Sequence, residues 1–255
     1  MKIVFLGTPD FVKPIRDILA KHFTLTDKVQ ESDLIVVAAF GKILSKEVLD
    51  APKYGSINIH PSLLPKYRGP SPIQAAILNG DKISGITIIK MDEEMDHGPV
   101  IYQESLDLSD KDNFDILSKK MFLRASEVLP QIIEDFVQGE IKPKEQNSTS
   151  ATYCKLLTRE SGYFDIDHPP SSEILNRMIR AYYPWPGTWT RWSPSRYPDP
   201  AQPEKDLKIV KFLPSISHPE LDSGSIKFLI QMEGKKAISL RDFLNGYPEF
   251  PIKQL

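Results

Sequence analysis

Three polar side chains in an otherwise apolar part of the chain have the types and spacing to do chemistry: Asn58, His60 and Asp96. Asn58 and His60 sit two apart in the run Ser56-Ile57-Asn58-Ile59-His60. In a strand, residues i and i+2 point to one face, so a carboxamide and an imidazole would address the same spot. Pro61 ends the run. That puts the spot at a strand's carboxyl end, where open α/β sheets take their ligands. Asp96 follows a second apolar run, Ile83 to Met91, in a charged loop closed by Gly98. Asn58 offers two N–H donors and stays neutral at any working pH. His60 exchanges a proton near neutrality, and Asp96 can orient the imidazole and favour its charged form. No Ser or Cys stands beside them as an obvious nucleophile. The set suits acyl transfer in which the substrate brings the nucleophile: an amine attacks a carbonyl, and Asn58 and His60 hold the developing oxyanion. Each well-placed donor is then worth about 3–4 kcal/mol, and a base or bound water takes a proton from the attacking nitrogen. Spacing alone also allows a plainer role, a histidine packing at a strand end and an asparagine bonded to backbone.

The segments INIHPSLLPKYRG (57–69) and NGDKISGITIIKMDEEMDHG (79–98) resemble the signature of the 10-formyltetrahydrofolate-dependent formyltransferases. The resemblance implies that Asn58, His60 and Asp96 are the catalytic residues. It implies that Ser62, Leu63, Leu64 and Pro65 line the folate site, and that Phe40, in the loop Phe40-Gly41-Lys42-Ile43-Leu44, helps enclose the pterin. The implied donor is 10-formyltetrahydrofolate and the implied acceptor is the amino group of methionyl-tRNA, with charged initiator tRNA as partner. Members that formylate sugar amines share the motifs and are the alternative; a relative that binds folate or RNA without catalysis is a third reading. The sequence departs from the family pattern at His97, where a small residue is usual, and this neighbour could perturb Asp96. It also lacks, between the first helix and Leu34, a block that in the members acting on methionyl-tRNA holds two strands, their helices and a tRNA-contacting loop. Gly7-Thr8-Pro9-Asp10-Phe11 resembles the family's first loop, and reads equally as a plain strand-to-helix turn. His60, His97 and the nearby acids have no metal-ligand spacing, so no metal is expected.

These residues need a scaffold. The expected fold is α/β: a truncated Rossmann-like formyltransferase domain (1–139), a linker (140–152) and a small open β-barrel, OB-like domain (153–255). Lys2 to Leu6 and Leu34 to Ala39 read as parallel strands buried on both faces. Between them lies a helix from Phe11 to Lys21, with Thr8 or Asp10 as cap and Pro14 in its first turn. Phe23 to Thr26 has room for one more short strand. Asp27 to Ser32 is too short for a further parallel crossover, which needs a dozen or more residues, so the first strand reads as an exposed edge. A helix over Ser45 to Leu49 follows. The proline-rich loop from Pro61 to Pro72 is stiff and carries Arg68, a candidate for an anion or for a structural ion pair. Beyond it come a helix from Ser71 to Leu78, an antiparallel pair from Ile83 to Met91 and Pro99 to Glu104, and a long helix from Phe114 to Gln138. Glu140 to Ser150 is linker-like by composition. The second domain resembles the family's carboxyl-terminal one, with a helix over Ser172 to Ala181. Strands are expected over Leu207 to Phe212, Ser225 to Met232 and Lys236 to Leu240, and a last helical turn over Arg241 to Asn245. A proline-rich surface insert covers residues 193–204. Arg177, Arg180, Arg191 and Arg196 are candidates for phosphate contact, or simply solvated.

Composition bounds the rest. The 255 residues are 40% hydrophobic and 26% charged, ordinary for a globular protein. No apolar run approaches the ~20 residues of a membrane helix, and the amino terminus lacks a signal-peptide layout. A cytoplasmic location with no membrane association and no obligate protein partner is the expectation. Cys154 is the single cysteine, so no intrachain disulfide and no cysteine metal cluster forms. A net charge of −2 is not the strongly basic footprint of a tight phosphate binder.

Overall fold

The computed structural model describes residues 1–194, 206–215 and 228–254. They form two compact units. The first holds residues 1–76, 81–109 and 116–156; the second holds 77–80, 110–115 and 157 onward. The segment expected as a linker, 140–152, therefore belongs to the first unit, where Lys144 pairs antiparallel with Val100 and Tyr153 pairs parallel with Arg68. Short polar residues look like linker in composition, but here their backbone groups complete pairings that other strands leave open.

The first unit is built on a six-stranded sheet in the order β2-β1-β3-β4-β5-β6. These strands are β1 (Lys2–Gly7), β2 (Thr24–Leu25), β3 (Leu34–Ala38), β4 (Ser56–His60), β5 (Ile83–Lys90) and β6 (Val100–Asp107). β1 to β4 run parallel, and β5 and β6 are antiparallel additions. β3 is buried along its whole length, as its apolar sequence LIVVA requires for a strand covered on both faces. Helix α1 (Lys13–His22) has Pro14 in its first turn and Val12 at its cap with no capping side chain. Neither Thr8 nor Asp10 caps it; Asp10 pairs with Lys13 instead, 2.9 Å away.

The expectation that Asp27 to Ser32 cannot support another parallel connection is overturned. β2 lies parallel to β1, opposite Lys2 and Ile3, and β3 starts on the other flank opposite the same Ile3. With β2 only two residues long, the chain has no strand length to travel back. It crosses sideways through one short 3-10 turn, Val29–Glu31. β2 is the edge strand and reaches only the amino end of β1.

Helix α2 (Lys46–Asp50) precedes β4, and α3 (Pro72–Asn79) follows the proline-rich loop, ending at Gly80 with φ +70°. Helix α4 (Phe114–Gln138) matches the expected span. Its buried residues Leu117, Met121, Ala125, Leu129 and Ile133 fall at every fourth position, the apolar stripe of a helix laid on a core.

The second unit centres on a four-stranded antiparallel sheet, β10-β9-β8-β7. Its strands are β7 (Thr188–Trp192), β8 (Lys208–Pro214), β9 (Phe228–Met232) and β10 (Ile238–Ser239). β7 was not foreseen. Residues 225–227 of the strand expected over Ser225 to Met232, and Arg196 with most of the 193–204 insert, lie outside the described residues. Helices α5 (Ser172–Tyr182) and α6 (Leu240–Gly246) begin at Ser171 and Ser239, whose side chains accept the N–H of Ile174 and of Asp242. Phe164, Leu175, Ile179, Trp192, Phe212 and Phe250 are among the residues of its core.

One cross-strand row positions the loop after β4. His60 lies opposite Thr87, and Thr87 opposite Gln103, so three side chains share a face of the sheet. The Thr87 hydroxyl, fully buried, donates to the Ser62 carbonyl (2.6 Å) and accepts from Leu64 N–H (3.1 Å) and Gln103 Nε2 (2.9 Å). Gln103 Nε2 also donates to the Leu64 carbonyl (2.9 Å). Replacing Thr87 by valine keeps the volume and strips the loop of its anchor, leaving a buried N–H unpaired. Thr87→Val is expected to lower unfolding free energy by about 1–3 kcal/mol, read from urea denaturation.

Candidate active site

β4 delivers Asn58 and His60 to one face at its carboxyl end, as the spacing predicts, and Asp96 comes to meet them from the loop between β5 and β6. Asn58 Nδ2 donates to Asp96 Oδ1 over 3.1 Å, and His60 Nδ1 lies 3.4 Å from the same oxygen. The two side chains that share a strand face thus converge on one anionic atom. The other carboxylate oxygen, Oδ2, accepts the backbone N–H of Gly69 over 2.8 Å.

His60 is buried, and its second nitrogen is also engaged. Nε2 lies 3.0 Å from the Tyr67 carbonyl. A carbonyl only accepts, so Nε2 carries a hydrogen. With Nε2 as the N–H, the lone pair of a neutral ring would face a carboxylate at Nδ1. The arrangement is satisfied when a proton also lies between Nδ1 and Asp96.

Burial pushes the Asp96 carboxyl upward, but the His60 charge, the hydrogen bonds from His60 and the Gly69 N–H, and the one from Asn58 together hold it below the ordinary aspartate value. Asp96 is therefore ionised at neutral pH.

The backbone around the site is unusual. Three non-glycine residues, Ala39, Tyr67 and Asp96, take left-handed conformations with φ of +48°, +63° and +51°. Such residues cost about 1–3 kcal/mol each and persist where surroundings over-determine them. Tyr67 and Asp96 are the residues that meet His60. Gly98 closes the Asp96 loop against the start of its own strand pair: an added Cβ would lie 1.8 Å from the Lys90 carbonyl oxygen.

The expected donor-site residues divide. Ser62 and Leu64 are buried, and the Ser62 hydroxyl is spent on the Lys66 carbonyl (2.6 Å). Leu63 and Pro65 are half-buried; the Leu63 carbonyl accepts the Lys66 N–H and the Pro65 carbonyl the Thr152 N–H, while the Thr87 row holds Ser62 and Leu64 beside them. Phe40 is half-buried beside Val4, Ile35 and Val37, away from any bond to Asn58, His60 or Asp96. His97 does not turn to Asp96; its Nδ1 is 2.8 Å from Asp92 Oδ2. Arg68 is 2% exposed and donates to Gln146 and Ser148, so it offers no surface for an anion. Gly69 and Tyr67, which complete the site through backbone atoms, escaped the sequence reading. Their signal was their place in the same stiff loop, two positions apart.

A carboxamide and an imidazole are thus gathered round a held carboxylate at the carboxyl end of a parallel sheet strand. Residues 1–133 match the family model described as formyl transferase. The methionyl-tRNA formyltransferase of Roseiflexus sp. (strain RS-1) is 44% identical over 160 residues, 63% of this chain and 49% of that protein. That of Thermodesulfovibrio yellowstonii is 35% identical over 229 residues, 84% of this chain and 70% of that protein. Among solved structures, methionyl-tRNA formyltransferase from Clostridium thermocellum matches with a TM-score of 0.64 at 20% identity, over 91% of this chain and 98% of that one; at that identity the match speaks to fold. The chain belongs to the formyl transferase family. It spans about half the length of the first curated relatives it matches.

Because the folded value of Asp96 is depressed, its ionised form adds stability above the unfolded carboxylate range, and that contribution fades as pH falls through the folded value. Asp96→Asn is expected to be less stable than the parent at pH 7, with the gap narrowing as pH drops below about 4. Urea melts across that range check it; a gap constant with pH would contradict it.

Proposed function

We propose that this protein transfers a formyl group from 10-formyltetrahydrofolate to the amino group of methionyl-tRNA. The observation that carries the reading is the convergence of Asn58 and His60 on one anionic oxygen, which marks the place where negative charge is held. The family membership supports the reaction class, and the relatives named methionyl-tRNA formyltransferase support the acceptor. In this reading the amine nitrogen bonds to the formyl carbon while the bond from that carbon to the donor nitrogen breaks. The second N–H of Asn58 donates to the formyl oxygen as charge builds there, and the ring of His60 lies beside it. Asp96, ionised, accepts the proton leaving the amine and passes it, directly or through water, to the departing donor nitrogen. The half-buried backbone of Leu63 and Pro65, with Phe40 across the end of β3, forms the side on which the folate ring system lies.

The second unit's share in holding tRNA is part of the same reading, with a narrower set of residues. Arg180 is 3% exposed and bonds Asn176 and the Asp112 carbonyl, so it is structural. Arg177 pairs with Glu173. Arg191 is exposed, its guanidinium 5.9 Å over the Trp189 ring, and is the phosphate contact this reading retains among the described residues.

Labelled 10-formyltetrahydrofolate supplied with charged initiator tRNA, and separately with nucleotide amino-sugars, tests the proposal. Formyl-methionyl-tRNA is the expected product; label in the amino-sugar alone, or in neither, refutes it. Asn58→Ala, His60→Ala and Asp96→Ala are each expected to cut kcat by about 100- to 1,000-fold with circular dichroism unchanged.

A further inference from the structure

We infer that Gln146 is a positioning residue for Asp96: it clamps the Asp96 loop to the loop that carries Tyr67, Arg68 and Gly69. Its carboxamide makes four hydrogen bonds. Nε2 donates to the backbone carbonyls of Asp96 (2.9 Å) and Gly98 (2.8 Å). Oε1 accepts from Arg68 Nε (3.1 Å) and Nη2 (2.8 Å). The orientation is not free to flip. A guanidinium only donates, so the oxygen must face Arg68 and the nitrogen must face the two carbonyls.

The consequence follows from where those carbonyls are. Asp96 stands in a left-handed conformation, and its own carbonyl is one of the two that Gln146 holds. The opposite end of the clamp, Arg68, sits between Tyr67, whose carbonyl takes the His60 Nε2 hydrogen, and Gly69, whose N–H binds Asp96 Oδ2. One side chain therefore sets the distance between the loop that supplies the carboxylate and the loop that supplies two of its supports. Gln146 can do so because Lys144, two residues earlier, is paired to Val100 at the foot of β6. A displacement of about 1 Å in a reacting group costs on the order of 100-fold in rate, so a residue touching no substrate can govern turnover.

The inference rests on the reading of Asp96 as a catalytic group, and its test separates the two. Gln146→Glu keeps the size and the acceptor facing Arg68 but has no N–H for the carbonyls; Gln146→Met removes both without adding charge. If Gln146 served only to satisfy Arg68, Gln146→Glu would be neutral. The titration of Asp96 is followed by 13C NMR of aspartate-labelled protein, with the signal assigned by its loss in Asp96→Asn. Both variants are expected to stay folded by thermal melting and to move the Asp96 midpoint up toward that of a free aspartate. Both should lower kcat by about 10- to 100-fold with each KM changed less than threefold. A shift in Gln146→Glu alone would be the work of its added charge, and overturns the inference, as does an unmoved midpoint in both. If the midpoint moves in both variants while the parent protein transfers no formyl group, the positioning role stands and the formyl-transfer reading falls.

Discussion

Asp96 carries its charge where little water reaches it, and the rest of the site is arranged around making that tolerable. A buried carboxylate alone would take up a proton. Here two oxygens receive Asn58, Gly69 and the His60 ring, from a strand, a loop and again the strand. These bonds outweigh desolvation, so the group stays ionised with no lysine or arginine paired to it among the described residues. Arg68 lies close in sequence to both supports, yet the structure directs it to the neutral carboxamide of Gln146 and keeps its charge off the carboxylate.

That arrangement depends on register. The side-chain period in a strand is two, so a slip of one residue in β4 would send Asn58 and His60 to the opposite face. The pairing of Asn58 with Val37 and Ile89, and of His60 with Thr87, fixes the register from both sides. The Thr87 hydroxyl then ties the following loop to the same row. Strand pairing, loop anchoring and acid–base geometry are in this way one cooperative structure, and the left-handed residues Tyr67 and Asp96 mark where it holds the backbone in sparsely populated conformations.

How much of this was legible in the sequence depends on how far each interaction reaches. Asn58 and His60 were legible because a two-residue spacing in an apolar run is a local geometric statement. Asp96 is not separable by spacing from Asp92, Glu93 and Glu94; resemblance singles it out, and of the four it is the one that meets Asn58. Tyr67 and Gly69 act through backbone atoms and leave no side-chain signature. Gln146 lies in a stretch whose composition reads as linker, because polar residues that bond to other loops look the same as polar residues that face water. β7 was hidden for a different reason: Thr188–Trp192 alternates large aromatics with Thr and Arg, immediately after Pro186 and Gly187, and the turn signal masked the strand. The crossover after β2 was misjudged because a rule about full-length strands was applied to a strand of two residues.

The shortened sheet sharpens the meaning of the site. The block whose absence the family resemblance implies would belong between α1 and β3, on the flank where β2 is the edge strand. Every group that bonds Asp96, through side chain or backbone, lies at or beyond Asn58 in the chain: Asn58, His60, Gly69 and Gln146. So does Tyr67, which holds the ring. None of them is anchored by β2. The cluster can therefore form from β3 onward, with β1 serving as the inner wall beside β3. A short flank on the β2 side is thus compatible with the convergence of these groups on Asp96, because none of their bonds runs through that edge.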